Sequence, residues 1–166
     1  CYAHFFKENY KWQFEIKKTE TIKYSKNYEK ELFAATTYSG EELTSLNIRI
    51  GKYFGEKTQE FINANQLNVD YIASHGHTIF HQPKNDFTLQ IGCGQEIANL
   101  TDTPVIYNFR NKDVSLGGQG APLVPIGDQK LFSDFDACIN LGGIANVSFQ
   151  NEFNQRVAFD ICAFNM

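Results

Sequence analysis

The sequence lacks long apolar runs and any excess of basic residues. No stretch approaches the ~18 consecutive apolar residues that a membrane-spanning helix requires. The formal net charge is −4 and the isoelectric point is about 5.5, so the chain lacks the basic surface by which proteins bind nucleic acids or anionic bilayers. We therefore expect no nucleic-acid partner and no membrane partner, and a small neutral or anionic molecule as the ligand.

Cysteines are scarce and far apart in the sequence. The four are Cys1, Cys93, Cys138 and Cys162, and no two of them form a C-x-x-C pair. No secretory signal segment precedes them, so we expect neither a disulfide framework nor a zinc site built on cysteine. This spacing fits reduced thiols, and the sequence predicts a cytoplasmic protein.

The sequence does contain enough apolar residues for one core. Its 166 residues are 42% hydrophobic and 14% aromatic, and a chain of this length buries roughly two thirds of its unfolded surface. We therefore expect residues 1–166 to form a single lobe. The chain opens directly on the strand-like run Cys1-Tyr-Ala-His-Phe-Phe, which predicts a truncated start.

The order of apolar patterns predicts strands first, followed by alternating helices and strands. Alternation predicts a meander of strands at 1–6, 11–16 and 20–24, with its first turn at Asn9–Tyr10. Helical spacing predicts helices at 27–36, 40–64, 94–100 and 122–132. Further strands are predicted at 69–74, 87–91, 104–107, 137–141, 145–150 and 156–159. This order predicts an α/β fold, with a mixed sheet that carries helices on its faces.

A histidine-rich segment follows the strand predicted at 69–74. His75 and His77 stand at the carboxyl end of that strand, where open α/β sheets bind ligands, so we expect both to contact a polar substrate. Together with His81 they also allow a metal site, because residues two apart on a strand share a face. No cysteine or carboxylate has a matching spacing and Gly76 interrupts the strand, so we predict no metal ligand here.

Two glycine-rich segments are candidates for binding an anion. The first is Gly-Gly-Gln-Gly at 117–120 and the second is Gly142–Gly143; backbone N–H groups at such turns can approach a phosphate closely. Neither segment matches a Rossmann or Walker pattern. Each can alternatively be a plain turn, in the second case a hairpin turn. Asn140 and Asn146 flank the second pair and favour a ligand-facing loop.

Charged residues also follow predicted strands. Arg110 suits a carboxylate or a phosphate, and the alternative is an ion pair with Asp113 that braces the turn at 117–120. For Asp113 itself we favour the structural role. Asp160 follows the strand at 156–159 and can accept a proton from a water or a hydroxyl nucleophile. Its alternative role is to cap a following helix.

Taken together and in this order, the segments resemble the anhydro-N-acetylmuramic acid kinases. The resemblance covers residues 40–166 and is strongest at 74–81, 87–92, 109–125 and 139–147. The family is similar to the acetate and sugar kinase, heat-shock 70 and actin superfamily, in which two ribonuclease-H-like lobes enclose ATP and substrate. The resemblance implies that this chain is the N-terminal, substrate-side lobe of an actin-like ATPase fold. It also implies truncation at both ends, without the first phosphate loop and the second lobe.

The resemblance implies a function as well. An ATP- and magnesium-dependent kinase would phosphorylate O6 of 1,6-anhydro-N-acetylmuramic acid and open its anhydro ring, giving N-acetylmuramic acid 6-phosphate during peptidoglycan recycling. Asp160 would activate the attacking water, and Gly142 and Gly143 would lie near the phosphates. The partners implied are a small amino sugar and a second subunit in a homodimer. The substrate-binding residues that we assign are His75, His77, Arg110, Gln119 and Asn146.

One motif departs from the family pattern. Where the family has Phe-Asp-Thr-Gly-Pro-Gly-Asn, this sequence has Phe159-Asp-Ile-Cys-Ala-Phe-Asn165, so Cys162 and Phe164 replace two glycines and remove easy access to positive φ. We expect the chain alone to be inactive. A degenerate relative that binds a sugar or a partner protein without transferring phosphate is the alternative. A weaker one is a metal-dependent hydrolase that uses the three histidines.

Overall fold

A computed structural model describes residues 1–164 of the chain. They divide into two compact units, one built from Cys1–Glu20 with the described residues from Ala121 onward, the other from Thr21–Gly120. In chain order the strands are β1 (Tyr2–Glu8), β2 (Lys11–Lys18), β3 (Ile72–Ser74), β4 (His77–Gln82), β5 (Phe87–Ile91), β6 (Val105–Tyr107), β7 (Ala137–Leu141), β8 (Ile144–Gln150) and β9 (Arg156–Ala163). The α-helices are α1 (Lys26–Ala34), α2 (Gly40–Asn65), α3 (Gly94–Thr101), α4 (Phe109–Ser115) and α5 (Pro125–Leu131). Across residues 1–164, no helix is both long and apolar enough to cross a membrane.

The discontinuous unit holds a hairpin, helix α5 and a three-stranded sheet. Strands β1 and β2 pair antiparallel around Asn9 and Tyr10, whose φ values of 49° and 65° are those that a tight hairpin turn requires. The predicted turn is therefore confirmed. Strands β7, β8 and β9 pair antiparallel in that order, as three consecutive predicted strands should.

The strand predicted at 20–24 is wrong, since this segment has no regular secondary structure. Tyr24 instead packs its ring on Tyr53 and Phe54 of α2, with ring centroids 5.7 and 6.4 Å away. Aromatic packing against a helix outweighs the β-propensity of this short run.

The continuous unit is built on the long helix α2. The Ser39 hydroxyl accepts the Glu42 N–H and the Glu42 carboxylate accepts the Ser39 N–H, a capping box that fixes where α2 begins. Its apolar stripe buries Leu46 and Ile50 completely. The core of this unit also contains Leu32, Ala35, Ile79 and Ile91.

The α/β class is confirmed, but the strands of residues 1–164 form four small sheets rather than one mixed sheet. Among the strands of the described residues, β3 and β6 alone pair parallel. The sequence analysis missed β4, which begins at His77 and pairs antiparallel with β5. Strand β5 pairs with β4 in this local hairpin and does not join the parallel sheet of β3 and β6.

Helix α5 starts later than the predicted helix at 122–132. Pro125 is its first residue. Because a proline inside a helix lacks the N–H for the backbone hydrogen bond, it is favoured at the first position. Helix α4, after β6, was not predicted.

Candidate functional site

Arg110 links His75, which precedes β4, to the glycine turn at 117–120. Its Nε donates to His75 Nε2 at 3.0 Å and its Nη1 donates to the Gly120 carbonyl at 2.6 Å. His75 Nδ1 lies 3.0 Å from the Gly76 carbonyl oxygen. With Nε2 accepting from Arg110, Nδ1 is the ring nitrogen that donates to the Gly76 carbonyl.

The half-buried Arg110 has no acidic partner within residues 1–164, where the ion pairs involve other residues. Asp113 instead accepts the Gly120 N–H at 2.7 Å through Oδ2. The alternative of an Arg110–Asp113 ion pair is therefore wrong, while the structural role of Asp113 is confirmed. A guanidinium that forms no ion pair is suited to binding an anionic group of a ligand.

The glycine turn between Gly117 and Gly120 packs closely on α4. Both glycines have left-handed backbones, with φ of 85° and 65°. A Cβ on Gly120 would lie 2.7 Å from Val114 Cγ2, and one on Gly118 would collide with the Asp113 carboxylate. Gln119 is exposed within this turn, so its amide is available to a ligand beside the carbonyl that Arg110 holds.

The three histidines have different surroundings. His77 is half-buried at the start of β4, edge-on to the Tyr24 ring at 6.4 Å. Burial lowers the pKa of His77, and charge on His75 lowers it further. His81 Nδ1 bonds Thr88 Oγ1 at 3.1 Å. Residues 1–164 contain no group of three His, Cys, Asp or Glu side chains able to hold a metal ion, so the metal-dependent hydrolase has no support in the described residues.

In the discontinuous unit, three polar residues form a row across the sheet. Asn140 of β7 is paired with Asn146 of β8, which is paired with Asp160 of β9. Directly opposed residues in antiparallel strands lie on the same face, so the three side chains share one face. We call them the polar row. Within residues 1–164 none of the three side chains makes a hydrogen bond or an ion pair, so all three are available to a ligand.

Gly142 and Gly143 form the turn between the antiparallel strands β7 and β8, beside the polar row. The alternative that this segment is a hairpin turn is therefore confirmed. A Cβ on Gly142 would have its nearest neighbour 3.6 Å away, at the Ile144 carbonyl oxygen. The Phe164 N–H donates to the Gly143 carbonyl at 2.9 Å. The space next to Gly142 is therefore open, and the backbone there can approach a ligand.

A β-bulge interrupts the pairing of β8 with β9 next to the row. Asn146 is paired with Asp160 but Ala145 with Cys162, which leaves Ile161 as an extra residue. Since Ala145 and Asn146 point to opposite faces, Cys162 lies on the face opposite Asp160. The end of the departing motif, Asn165, lies outside the described residues.

Sequence analysis missed a second polar group on the face of the row. Ser148 Oγ donates to Asp128 Oδ2 of α5, and Arg156 Nη2 donates to Ser148 Oγ at 2.8 Å. The Arg156 side chain is only 8% exposed. We call these three residues the α5 clamp, because they tie α5 to β8 and β9. The signal was present in β8, where Asn146 and Ser148 are polar at a spacing of two.

The predicted site residues thus form two sets, each within one unit. The structure brings Arg110, His75 and the turn containing Gln119 together, with His77 two residues from His75. It separately brings Asn146 and Asp160 together beside the Gly142–Gly143 turn. Their roles stay predictions.

Comparison with known proteins identifies the family. The model of the family "anhydro-N-acetylmuramic acid kinase" matches residues 24–166. An anhydro-N-acetylmuramic acid kinase of Pseudoalteromonas translucida is 42% identical over 154 residues, covering 82% of this chain and 38% of the relative. The kinase of Colwellia psychrerythraea is 45% identical over 112 residues, covering 63% and 28%. That of Acinetobacter baylyi is 39% identical over 142 residues, covering 80% and 38%.

The chain spans less than two fifths of the length of these curated relatives. The family match nevertheless includes most of the chain, and it contains every residue of both sets. On these grounds the chain belongs to the anhydro-N-acetylmuramic acid kinase family.

Proposed function

We propose that the protein containing this chain is an ATP-dependent kinase of 1,6-anhydro-N-acetylmuramic acid. It adds water across the anhydro bridge and phosphorylates O6, giving N-acetylmuramic acid 6-phosphate for peptidoglycan recycling. Family membership supports the kinase class, and the relatives' names support the substrate. The observation that carries the proposal is the register of Asp160 with Asn146, beside a glycine turn with open space.

Asp160 is the proposed general base. Its carboxylate is exposed and has no partner within residues 1–164, so it is free to take a proton from a water molecule. The hydroxide so formed bonds to the anomeric carbon as the bond from that carbon to O6 breaks. O6 then bonds to the γ-phosphorus of ATP, the bond from that phosphorus to the bridging oxygen breaks and ADP leaves, and Asp160 releases its proton to solvent. Asn146, in register with Asp160, is suited to orient a sugar hydroxyl or the acetamido group.

Arg110 is the proposed partner of the sugar's carboxylate. Its Nε and Nη1 are held by His75 and Gly120, which fixes the plane of the guanidinium. A guanidinium oriented in this way is suited to a planar carboxylate. We assign His75, His77 and Gln119 to the sugar's hydroxyl and acetamido groups.

The described residues fit a phosphate better than they fit a free metal ion. ATP would supply the phosphoryl group and magnesium would offset its charge. The open Gly142–Gly143 turn suits phosphate oxygens. No cluster of three ligating side chains occurs in residues 1–164, so magnesium would enter coordinated by phosphates and waters.

The remaining parts of the proposal concern the whole protein. We propose that this chain is one lobe of a ribonuclease-H-like, actin-like ATPase fold and is inactive by itself. We further propose a cytoplasmic homodimer. The four free cysteines of the described residues are compatible with a reducing compartment.

The test is made on the full-length protein with ATP and the anhydro-sugar in water enriched in ¹⁸O. We expect a phosphorylated product that carries one ¹⁸O at the anomeric carbon. Asp160→Asn should lower kcat at least roughly 100-fold, the usual contribution of a general base. The matched control is Asp136→Asn, a change at an exposed acid of the same unit, which should retain activity.

The second candidate function is a degenerate relative that binds sugar without transferring phosphate. Cys162 and Phe164 at two glycine positions of the family motif favour it. Calorimetric binding of the anhydro-sugar with no phosphorylated product would establish this candidate and reject the kinase.

A further inference from the structure

Asp113 and Arg110 bind the two backbone groups of the same glycine. Both side chains belong to α4, three positions apart, and therefore lie on the same side of that helix. Arg110 Nη1 donates to the Gly120 carbonyl at 2.6 Å, while Asp113 Oδ2 accepts the Gly120 N–H at 2.7 Å. One face of α4 thus holds a single buried glycine by its N–H and by its carbonyl.

The backbone of Gly120 depends on these contacts for its orientation. Its φ of 65° lies in the left-handed region, and a residue without a Cβ can leave that region at little steric cost. Without the Asp113 carboxylate, the N–H of this buried residue would lack a partner, so the turn would rearrange to satisfy it. Such a rearrangement would move the carbonyl oxygen to which Arg110 is bound.

The orientation of Arg110 matters because only part of its guanidinium is engaged. Of the five N–H donors of a guanidinium, the one on Nε binds His75 and one on Nη1 binds Gly120 within residues 1–164, which leaves three for a ligand. A carboxylate is bound best by two parallel N–H donors, and their alignment decides the strength of the contact. A shift of the Gly120 carbonyl should therefore change the affinity for a carboxylate more than the affinity for a neutral sugar.

We propose that Asp113 is a positioning residue for the sugar's carboxylate, because through Gly120 it sets the orientation in which Arg110 binds that group. This proposal rests on the proposed function, from which it takes the acidic sugar. It gives Asp113 a part in substrate discrimination in addition to bracing the turn. The hydrogen-bond acceptor of Asp113 has this role rather than its negative charge, since a negative charge near the site repels an anionic ligand.

The experiment titrates the full-length protein calorimetrically with two sugars, 1,6-anhydro-N-acetylmuramic acid and 1,6-anhydro-N-acetylglucosamine, which lacks the carboxylate-bearing lactyl group. Asp113→Ala should weaken binding of the acidic sugar about tenfold, because the charge-assisted contact to Arg110 is misaligned. Binding of the neutral sugar should not change. Asp113→Asn keeps an acceptor for the Gly120 N–H and should bind both sugars as the wild type does. In an Arg110→Ala background, Asp113→Ala should have no further effect, since it acts through Arg110.

The control Asp70→Ala makes the same change at an exposed aspartate of the same unit and should bind both sugars as the wild type does. The backbone carbonyl of Asp113 accepts the Gly118 N–H at 2.9 Å, a contact that substitution of the side chain retains. If Asp113→Ala does not fold, judged by circular dichroism, Asp113→Ser takes its place, because the serine side chain is shorter and loses the contact to Gly120.

The outcomes separate this proposal from the proposed function. Unchanged binding in Asp113→Ala, equal losses for the two sugars, or a loss in Asp113→Asn as large as in Asp113→Ala would overturn the positioning role. A loss that is undiminished in the Arg110→Ala background would overturn it as well. Wild-type protein that binds neither sugar would overturn both proposals. A selective loss of the acidic sugar in Asp113→Ala, in a protein that yields no phosphorylated product, would uphold this proposal and reject the kinase reaction.

Discussion

Gly117 and Gly120 both have left-handed backbone conformations, but the space available to a side chain differs greatly between them. Both residues have positive φ. No atom lies within 4 Å of a Cβ built on Gly117, whereas one on Gly120 meets Val114 Cγ2 at 2.7 Å. A substitution at Gly117 therefore adds only backbone strain, while the same substitution at Gly120 also adds a steric clash.

We predict that Gly120→Ala destabilises the protein more than Gly117→Ala does. Backbone strain should cost Gly117→Ala about 1 kcal/mol, and the added clash should raise the cost for Gly120→Ala to roughly 2–4 kcal/mol. Urea denaturation followed by circular dichroism measures both. Equal losses in the two variants would show that Gly120 is not enclosed as described.

His77 should make the stability of the protein depend on pH. Burial and the charge of His75 lower the pKa of His77 in the folded chain, so below about pH 6.5 the unfolded chain binds more protons at this residue than the folded chain does. The free energy of unfolding should therefore fall as the pH drops from 7.5 to 5.

The variant His77→Gln should reduce this loss, and unfolding measured at both pH values tests it. The control is His4→Gln, because His4 is exposed in a different part of the chain; it should leave the pH dependence as it is. A pH dependence that survives His77→Gln would assign the effect to another group.

At the level of residues, the sequence identified candidate site residues more accurately than it identified their hydrogen-bond and ion-pair partners. Arg110 and His75 were predicted from their positions after strands, and the structure joins them directly. The alternative ion pair between Arg110 and Asp113 does not form, because the turn presents the carbonyl and the N–H of Gly120 to the two side chains separately. Such a turn geometry depends on two positive φ values that side-chain charge does not reveal.

At the scale of elements, the α5 clamp contrasts with an ion pair on the surface of the same unit. The Arg156 side chain is 8% exposed, and its Nε is buried without a partner in residues 1–164. The pair between Lys11 and Asp134 has side chains 55% and 75% exposed. Buried polar groups lose more than exposed ones when a partner is removed.

We predict that Ser148→Ala destabilises the protein by about 1–3 kcal/mol, because Arg156 and Asp128 both lose the hydroxyl between them. Asp134→Asn, which weakens the exposed pair, should cost between 0 and about 1 kcal/mol. Urea denaturation compares the two variants. A loss in Ser148→Ala no larger than in Asp134→Asn would mean that the clamp does not stabilise α5 on the sheet.

Elements with a strong periodic pattern were predictable from the sequence. Helix α2 and strands β7 and β8 were confirmed close to their predicted bounds, whereas β9, predicted at 156–159, continues to Ala163 and so contains Asp160. The errors fell where neighbouring elements decide the structure. Residues 20–24 pack an aromatic side chain on a helix, and β4 forms only because β5 is its local partner.

At the scale of the whole molecule, large apolar side chains are exposed in the discontinuous unit. Its sheet exposes Ile139 by 63%, Leu141 by 61%, Phe159 by 51% and Ile161 by 53%, and its hairpin exposes Phe5 by 60%. Soluble monomers rarely expose apolar side chains at this density. The curated relatives are more than twice as long as this chain.

We therefore predict that the 166-residue chain, prepared alone, self-associates or binds a hydrophobic dye. The full-length protein should do either far less. Sedimentation velocity over a range of concentrations, with the full-length protein as control, tests this. A chain that stays monomeric and binds no dye at high concentration would contradict the prediction.

The extra residue Ile161 places the Asp160 carboxylate and the Cys162 side chain on opposite faces of the sheet. Residues two apart on a regular strand face the same way, yet Asp160 and Cys162 do not, because the bulge reverses the alternation between them. The Cys162 side chain, at a glycine position of the family motif that the sequence resembles, therefore lies on the face opposite the Asp160 carboxylate. A regular pairing of the same residues, without the bulge, would put Cys162 on the face of Asp160, so the extra residue there matters as much as the identity of its neighbours.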